Sequence, residues 1–393
     1  GSSFSTLSIH SIPRIDMRNG TLPPDDFGPL LPGPAFGGMV HVTKILFSLG
    51  CFQQEVTCPN CSKTCKLRTT TRKKQLKDEQ EKEYVDFSIR CQSRKCRTYI
   101  PFIDNTIWRK VKDRVLFFFV VDAFLNRNST QSIVDQTGCK QKTAEKYMRI
   151  VKNALFLENE EEKMGMLLGG KGETVQADES CVFKRKYGVG RILEVSRQGW
   201  LFGIVEDRQD GRLFIQMIKH KDATTLQQLI KDHVEKESTI FTDCWPSYNG
   251  LDKVNEYKHY NVNHSQNFVE TKPLQMTPEE EAQAIQNAVR EFEMCEDDAV
   301  DEDVVIEEPT IEVHTQKIER VWREVKREFV NQHISVLRRN VGVAMFRYNH
   351  LNVRVPFSER RKIVLRVIAK HQFRDGELLR LSFPVYDEDE DLH

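Results

Sequence analysis

Four cysteines and two aspartates carry the chemistry legible in this sequence. Cys58 and Cys61 are separated by two residues, and Cys91 and Cys96 follow as a second, wider pair. A Cys-x2-Cys turn presents two thiolates to one ion, and a second pair brought alongside by strands completes the tetrahedron that Zn2+ accepts at about 2.3 Å from sulfur. The second pair encloses four residues rather than two, and Cys65 stays open as an alternative ligand. A site closed by four thiolates leaves no position for a substrate, so this zinc is expected to fold its module rather than to catalyse.

The aspartates lie further along. Thr174-Val-Gln-Ala-Asp178 and Ser238-Thr-Ile-Phe-Thr-Asp243 both read as strands with an acid at the end. In a sheet that pairs these strands the two carboxylates converge on one cation, and a helix approaching the same edge adds a third. Three carboxylates are a hard-oxygen holder for Mg2+ or Mn2+, ions that activate a water or a 3′-hydroxyl and stabilise the leaving oxygen of a phosphoryl transfer. Strand alternation turns Glu179 to the opposite face and away from that role.

The elements that must position these groups follow from periodicity. Residues 1–39 hold six of the fourteen prolines and read as an irregular arm. From 40 to 104, short alternating runs such as Val85, Phe87 and Ile89 lead into the cysteines, as expected of a small β domain, a zinc ribbon. Over 105–160 the period becomes helical. A helix marked by Trp108, Val111, Val115 and Phe118 precedes a short one capped by Ser129 and stopped by Gly138, and Lys140 to Phe156 forms a third. Three helices with a glycine turn between the last two are the helix-turn-helix pattern, and Lys140, Lys142, Thr143, Lys146 and Arg149 fall where its recognition helix meets DNA. After Gly169-Gly170 the strands return. Trp200–Glu206 and Leu213–Lys219 flank an Asp210-Gly211 turn, an amphipathic helix spans Asp222 to Val234, and the strand ending at Asp243 follows. Thr315 to Val330 resumes as a helix, and 353–393 is a helical segment with an acidic tail.

The net charge is zero, but its signs are segregated. Residues 62–114 hold 16 Lys/Arg against 7 acids, a composition suited to a polyanion, whereas 271–313 hold 14 acids against Lys272 and Arg290. No apolar run reaches the roughly 20 residues of a membrane helix, so no membrane partner is expected. No secretory leader is recognisable, and singly scattered cysteines suit a reducing, intracellular compartment.

Several segments in order carry a resemblance: Ala-Asp178-Glu-Ser180, Phe183-Lys-Arg-Lys-Tyr187 with Gly190-Arg191, Trp200-Leu-Phe-Gly203, Thr242-Asp243-Cys-Trp-Pro-Ser-Tyr248, Val262-Asn-His-Ser265 with Asn267-Phe-Val, and His314-Thr-Gln-Lys-Ile-Glu319-Arg-Val-Trp322. Over roughly Cys58 to Asn352 the chain resembles transposases of the Merlin superfamily and their bacterial insertion-sequence relatives. The resemblance implies a multidomain α/β protein: a zinc ribbon, a helix-turn-helix, and an RNase H-like mixed sheet with flanking helices over 170–352. It implies an Asp-Asp-Glu triad that cuts and joins DNA at terminal inverted repeats, falling on Asp178, Asp243 and Glu319 with Mg2+ or Mn2+. It places His264 near that site, and the basic residues of the Glu319 helix, Arg323 and Lys326 with Arg320 and Arg327, are candidates to meet DNA there. It further implies a homo-oligomer, at least a dimer on DNA, and a nuclear location.

One departure stands out: about forty acidic-rich residues, near 271–313, separate the Asn-His-Ser and His-Thr-Gln segments. The family's usual interval from the second acid, counted from Asp243, lands on Glu279-Glu280-Glu281. Motif context favours Glu319. Cut-and-paste transposition is the expected function, with a non-catalytic DNA-binding descendant or a related nuclease as alternatives.

Overall fold

The computed structural model describes residues 45–46, 48–49, 55–75, 81–100, 103, 106–181, 200–251, 256–263, 269–294, 309–329 and 336–380. The proline-rich arm, the Phe183–Arg191 motif and His264 lie outside them. The described residues form two compact units: those up to Glu158 together with those from His350 onward, and Asn159–Asn349.

The first unit opens with an antiparallel sheet in the order β1 (Glu55–Thr57), β2 (Thr64–Gln75), β3 (Glu81–Arg90), β4 (Tyr99–Ile100). Its long β2–β3 hairpin runs from Leu67 opposite Ile89 to Gln75 opposite Glu81. Ile89, Cys58, Cys65 and Cys91 are its buried centre. So few apolar groups cannot repay the ordering of these strands.

The helical part follows. The helix expected from Trp108 starts later, as α1 (Arg114–Leu125), because Asp113 stays extended and accepts the Leu116 N–H at 2.9 Å. Trp108 instead sits in a short 3-10 turn, buried edge-on against Phe117 at 5.5 Å. Ser129 caps α2 (Thr130–Thr137) by accepting the Ser132 N–H at 3.1 Å, and Gly138 ends it with a φ of +67° that a Cβ would oppose. The 23-residue α3 (Gln141–Lys163) then carries the chain into the second unit.

The second unit is built on five strands. After β5 (Leu168–Gly169) come β6 (Thr174–Cys181), β7 (Trp200–Glu206) and β8 (Leu213–Ile218), an antiparallel meander. The β7–β8 turn is held by Glu206, whose buried carboxylate takes Arg212 at 2.7 Å and Arg208 at 2.8 Å and is thereby held down at about 2. The helix α4 (Ala223–His233), capped by Asp222, leads through β9 (Val234–Glu235) to β10 (Thr239–Asp243), which lies parallel to β6. The strand β11 (Lys258–Val262) extends the sheet in parallel beyond β10, giving the order β11-β10-β6-β7-β8. Sequence patterning missed β11, whose Lys-His-Tyr-Asn-Val carries only two buried residues.

The acidic segment is tied at both ends. β12 (Glu270–Pro273) pairs antiparallel with β13 (Thr310–Val313), so the intervening chain leaves and rejoins at one place, and its closure costs little. Within it, α5 (Pro278–Met294) is exposed wherever its side chains are described. Two helices follow: α6 (Gln316–Lys326), which buries Ile318, Val321, Trp322 and Val325 in the core of the sheet, and α7 (Leu337–His350). The chain then returns to the first unit as α8 (Phe357–Lys370) and α9 (Asp375–Arg380). There Arg361 grips buried Asp122 of α1 through two bonds of 2.6 and 2.7 Å.

Because β12 and β13 pin the ends, replacing residues 278–308 by a short Gly/Ser linker should leave the cooperative melt of the protein within roughly 2 °C of the parent. A collapsed or non-cooperative melt would show that α5 is part of the core.

Candidate active site and metal centre

The cysteine centre is formed by two similar turns. After β1, Ser62 N–H returns to the Cys58 carbonyl at 2.9 Å and Ser62 adopts a left-handed φ of 55°. After β3, Arg97 N–H returns to the Ser93 carbonyl at 3.1 Å, with Arg97 at φ 47°. Each turn aims two sulfurs inward. Cys58 and Cys96 are 3.6 Å apart, Cys61 and Cys91 3.3 Å, and all four sulfurs lie within 4.8 Å of one another. Thiolates on the edges of a tetrahedron around an ion at about 2.3 Å are separated by just such spans, so the donor set fits Zn2+. Cys65 is outside it: its buried thiol turns to the Lys63 carbonyl at 3.4 Å. The Thr98 hydroxyl, 3.0 Å away, and its backbone N–H draw the Cys96 thiol down to about 6, easing formation of the thiolate a metal needs.

The carboxylates come together by register. Thr239, Ile240 and Phe241 of β10 lie opposite Thr174, Val175 and Gln176 of β6, and two more steps along parallel strands set Asp243 beside Asp178. Neighbouring strands are about 4.8 Å apart, so the two acids feel each other strongly. Asp178 is pushed up to about 7, first by lost hydration and then by the Asp243 charge. Two half-buried acids that repel across one sheet edge form a place short of a cation, and their oxygens suit Mg2+ or Mn2+. Asp178 is interior to its strand, not at its end as expected: β6 runs on to Cys181, because Asp178 still pairs with Gly203 of β7.

Three contacts then seat the helix that carries Glu319. Gln176, on the same face of β6 as Asp178, accepts the Lys317 and Ile318 N–H groups of α6, both at 3.0 Å. This supplies the cap that Thr315 does not provide. Trp322 donates its indole N–H to Asp178 Oδ2 at 2.8 Å. Its ring lies over Gly203, where a Cβ would come within 2.7 Å of Cη2. Glu319 therefore sits half-buried on α6, one turn before the residue bonded to Asp178. Among the described residues the oxygens of Asp178, Asp243 and Glu319 do not all fall within 4.8 Å of one another, so the structure pairs the two aspartates but does not gather the three acids around one point.

The alternative glutamates are otherwise engaged. Glu280 closes a capping box at the start of α5, taking the Thr277 N–H at 2.9 Å, and pairs with Lys258 at 2.7 Å. Glu179 is half-buried and receives the Tyr248 hydroxyl; lost hydration raises it and the Asp243 charge adds to that, so it lies within electrostatic reach of the acid pair. Asp243 Oδ1 accepts the Trp245 N–H at 3.0 Å.

Lys140, just before α3, and Lys142 and Arg149 on it are exposed, and Thr143 is half-buried. Lys146 donates to the Lys110 carbonyl at 2.5 Å and Arg149 to the Leu379 carbonyl at 3.5 Å, so both are held in place. The Lys146 ammonium is lowered by lost hydration and then by Lys110 and Lys112, a basic cluster that sequence position alone did not join. On α6, Arg323 is exposed and Lys326 half-buried.

Residues 166–294 match the family model of the ISXO2-like transposase domain. The matched stretch holds Asp178 and Asp243 and ends before Glu319. The chain is also 32% identical over 59 residues to an uncharacterized transposase-like protein of Haemophilus influenzae, an alignment covering 15% of this chain and 47% of that protein. The chain thus spans about half the length of the curated relative it matches. No helix among the described residues is long and apolar enough to cross a membrane.

Two outcomes follow from this geometry. Cys58→Ser should reduce zinc, measured by elemental analysis, from one equivalent to none while the melt of the second unit persists; full retention would move the ligand set. In metal-free buffer the folded state holds a proton on Asp178 that the unfolded chain releases near pH 4, so its charge costs stability as pH rises from about 4 to about 7. Asp178→Asn keeps an acceptor for Trp322 and should raise the melting temperature at pH 8, by roughly 2–4 °C per kcal/mol of relieved repulsion, with no change at pH 4. A lower melting temperature at pH 8 would contradict the repulsion.

Proposed function

We propose that this protein is a cut-and-paste DNA transposase of the Merlin type. It binds transposon terminal inverted repeats and catalyses metal-dependent cleavage and strand transfer. The observation that carries this reading is the side-by-side pair Asp178 and Asp243 on parallel strands, inside a segment that matches a transposase domain. The sheet order β11-β10-β6-β7-β8, with a meander joined to two parallel strands, supports an RNase H-like core.

In this reading Asp178, Asp243 and Glu319 hold Mg2+ or Mn2+. When bound, such ions would favour ionisation of an attacking water or 3′-hydroxyl and offset charge on the leaving oxygen. The chain's own residues set the geometry. Trp322 orients Asp178, the Trp245 N–H orients Asp243, and Gln176 fixes where α6 begins. The exposed α3 lysines and the Lys110, Lys112 and Lys146 cluster meet phosphates, with Arg323 and Lys326 closer to the cut. The zinc held by the four cysteines orders the ribbon. Two ends require two active sites, so the working form is at least a dimer on DNA, acting in the nucleus as the resemblance to the Merlin superfamily implies. Glu280 is neutralised by Lys258 at the start of β11, at the other end of that strand from Val262, which lies beside Asp243, so its charge is held away from the acid pair.

The experiment uses full-length protein, Mg2+ and DNA bearing the inverted repeats that flank the gene, assayed for cleavage and, with pre-cleaved ends, for joining. Asp178→Asn, Asp243→Asn and Glu319→Gln should each reduce both steps to below roughly 1% without loss of end binding, because charge is removed at nearly constant volume. Glu280→Gln should remain active. Loss of activity in Glu280→Gln with retention in Glu319→Gln would place the third acid in α5, and end binding without cleavage by the parent would point to a DNA-binding descendant.

A further inference from the structure

Beside the acidic pair lies a group of residues that metal binding does not use. Trp245 follows Asp243 by two residues and keeps 38% of its surface exposed, unusual for so large an apolar side chain. The Lys221 ammonium sits over its ring at 3.5 Å from the centroid and over the ring of Trp200 at 4.6 Å. These three residues come from different places: the start of β7, the turn before α4, and the loop after β10.

The loop is held rigidly. Ser247 Oγ donates to the Lys221 carbonyl at 3.0 Å, and Gln227 of α4 donates to the Ser247 carbonyl at 3.0 Å and to the Asn249 carbonyl at 3.3 Å. Pro246 opens a 3-10 turn that ends in buried Tyr248. The Trp245 backbone N–H binds Asp243 itself at 3.0 Å, so the backbone that carries the aromatic ring is tied to the carboxylate. Burying the indole would have been the simpler use of its apolar area; instead the fold spends several hydrogen bonds to present it.

We propose that Trp245, braced by Lys221 and Trp200, is a stacking platform for an unpaired base of the nucleotide next to the scissile phosphate. The inference rests on the DNA-cleaving reading of Asp178 and Asp243 and adds what positions the strand there. A phosphodiester brought to these carboxylates puts its flanking base within reach of the residue two positions from Asp243. Every base has a π-face, so an indole holds it without reading its identity. The ammonium is shared by two rings, and its positive charge offsets repulsion between the incoming phosphate and Glu179, whose charge it already faces. Trp245 is thus a positioning residue with little sequence preference.

The test uses the full chain in Ca2+, to permit binding without turnover, and a 16-nucleotide single strand with 2-aminopurine at its centre. Binding by the parent should quench the 2-aminopurine emission and the tryptophan emission together. Trp245→Leu keeps apolar volume without a stacking face, so it should lose the quench and bind roughly 5- to 150-fold more weakly, whereas Trp245→Phe should keep most of both. Lys221→Met should weaken binding and flatten its salt dependence. Unchanged quench and affinity in Trp245→Leu, with metal-dependent cleavage by the parent intact, would overturn the platform alone. A parent that neither binds the strand nor cleaves DNA would overturn the DNA reading and the platform with it.

Discussion

A single hydrogen bond, from the Trp322 indole to Asp178, joins the two parts of the fold that the candidate site needs. Asp178 belongs to the sheet and is raised in pKa by its surroundings, so a neutral donor that favours its ionised form is worth more there than in water. Trp322 belongs to the helix that carries Glu319. The bond therefore fixes the separation of two acids that no strand register relates. It requires a notch in the neighbouring strand, which Gly203 provides, and a helix that starts in the right place, which Gln176 ensures. The three contacts are distributed over β6, β7 and α6, so a disturbance at any of them reaches the same carboxylates.

The parts of this arrangement that depend on local rules were legible in the sequence. Ser129 and Gly138 announce the limits of α2, Asp222 announces α4, and the Cys58/Cys61 spacing announces a knuckle, because caps, left-handed turns and paired thiolates act over a few residues. Asp243 at a strand end was equally readable. The remainder depends on partners distant in the chain. Nothing near Gly203 reveals that an indole 119 positions later fills the space above it, and nothing near Gln176 shows that its amide caps a helix. Trp322 reads as an ordinary core residue, which it also is. The rejection of Cys65 was likewise invisible, since it follows from the direction of one thiol.

The acidic segment illustrates how a fold accepts extra chain beside a sensitive site. Its ends are joined by the β12–β13 pair, and the Lys272 ammonium reaches the Asn261 side chain at 2.9 Å, tying that pair to β11. The first turn of α5 is satisfied internally by Thr277 and Glu280, and Glu280 also pairs with Lys258 at the start of β11. Interval counting from Asp243 lands on the exposed α5, because it counts residues, whereas the sheet senses only where the chain re-enters at β13. Sequence context around Glu319 survives the insertion because the contacts that seat α6 join Lys317, Ile318 and Trp322 beyond it to Gln176, Asp178 and Gly203 before it, and none of them comes from within it.

The central claim is that the carboxylate site depends on the seating of α6 against β7, and a position that donates no ligand tests it most directly. Gly203→Ala adds one methyl group, which meets the Trp322 ring and touches no carboxylate. Mn2+ affinity can be followed by titration on protein whose cooperative melt is intact. Gly203→Ala should weaken Mn2+ binding roughly 10- to 100-fold, as loss of an outer-shell support does. An affinity equal to that of the parent would contradict it, and would mean that the acids hold their metal without the helix being seated as described.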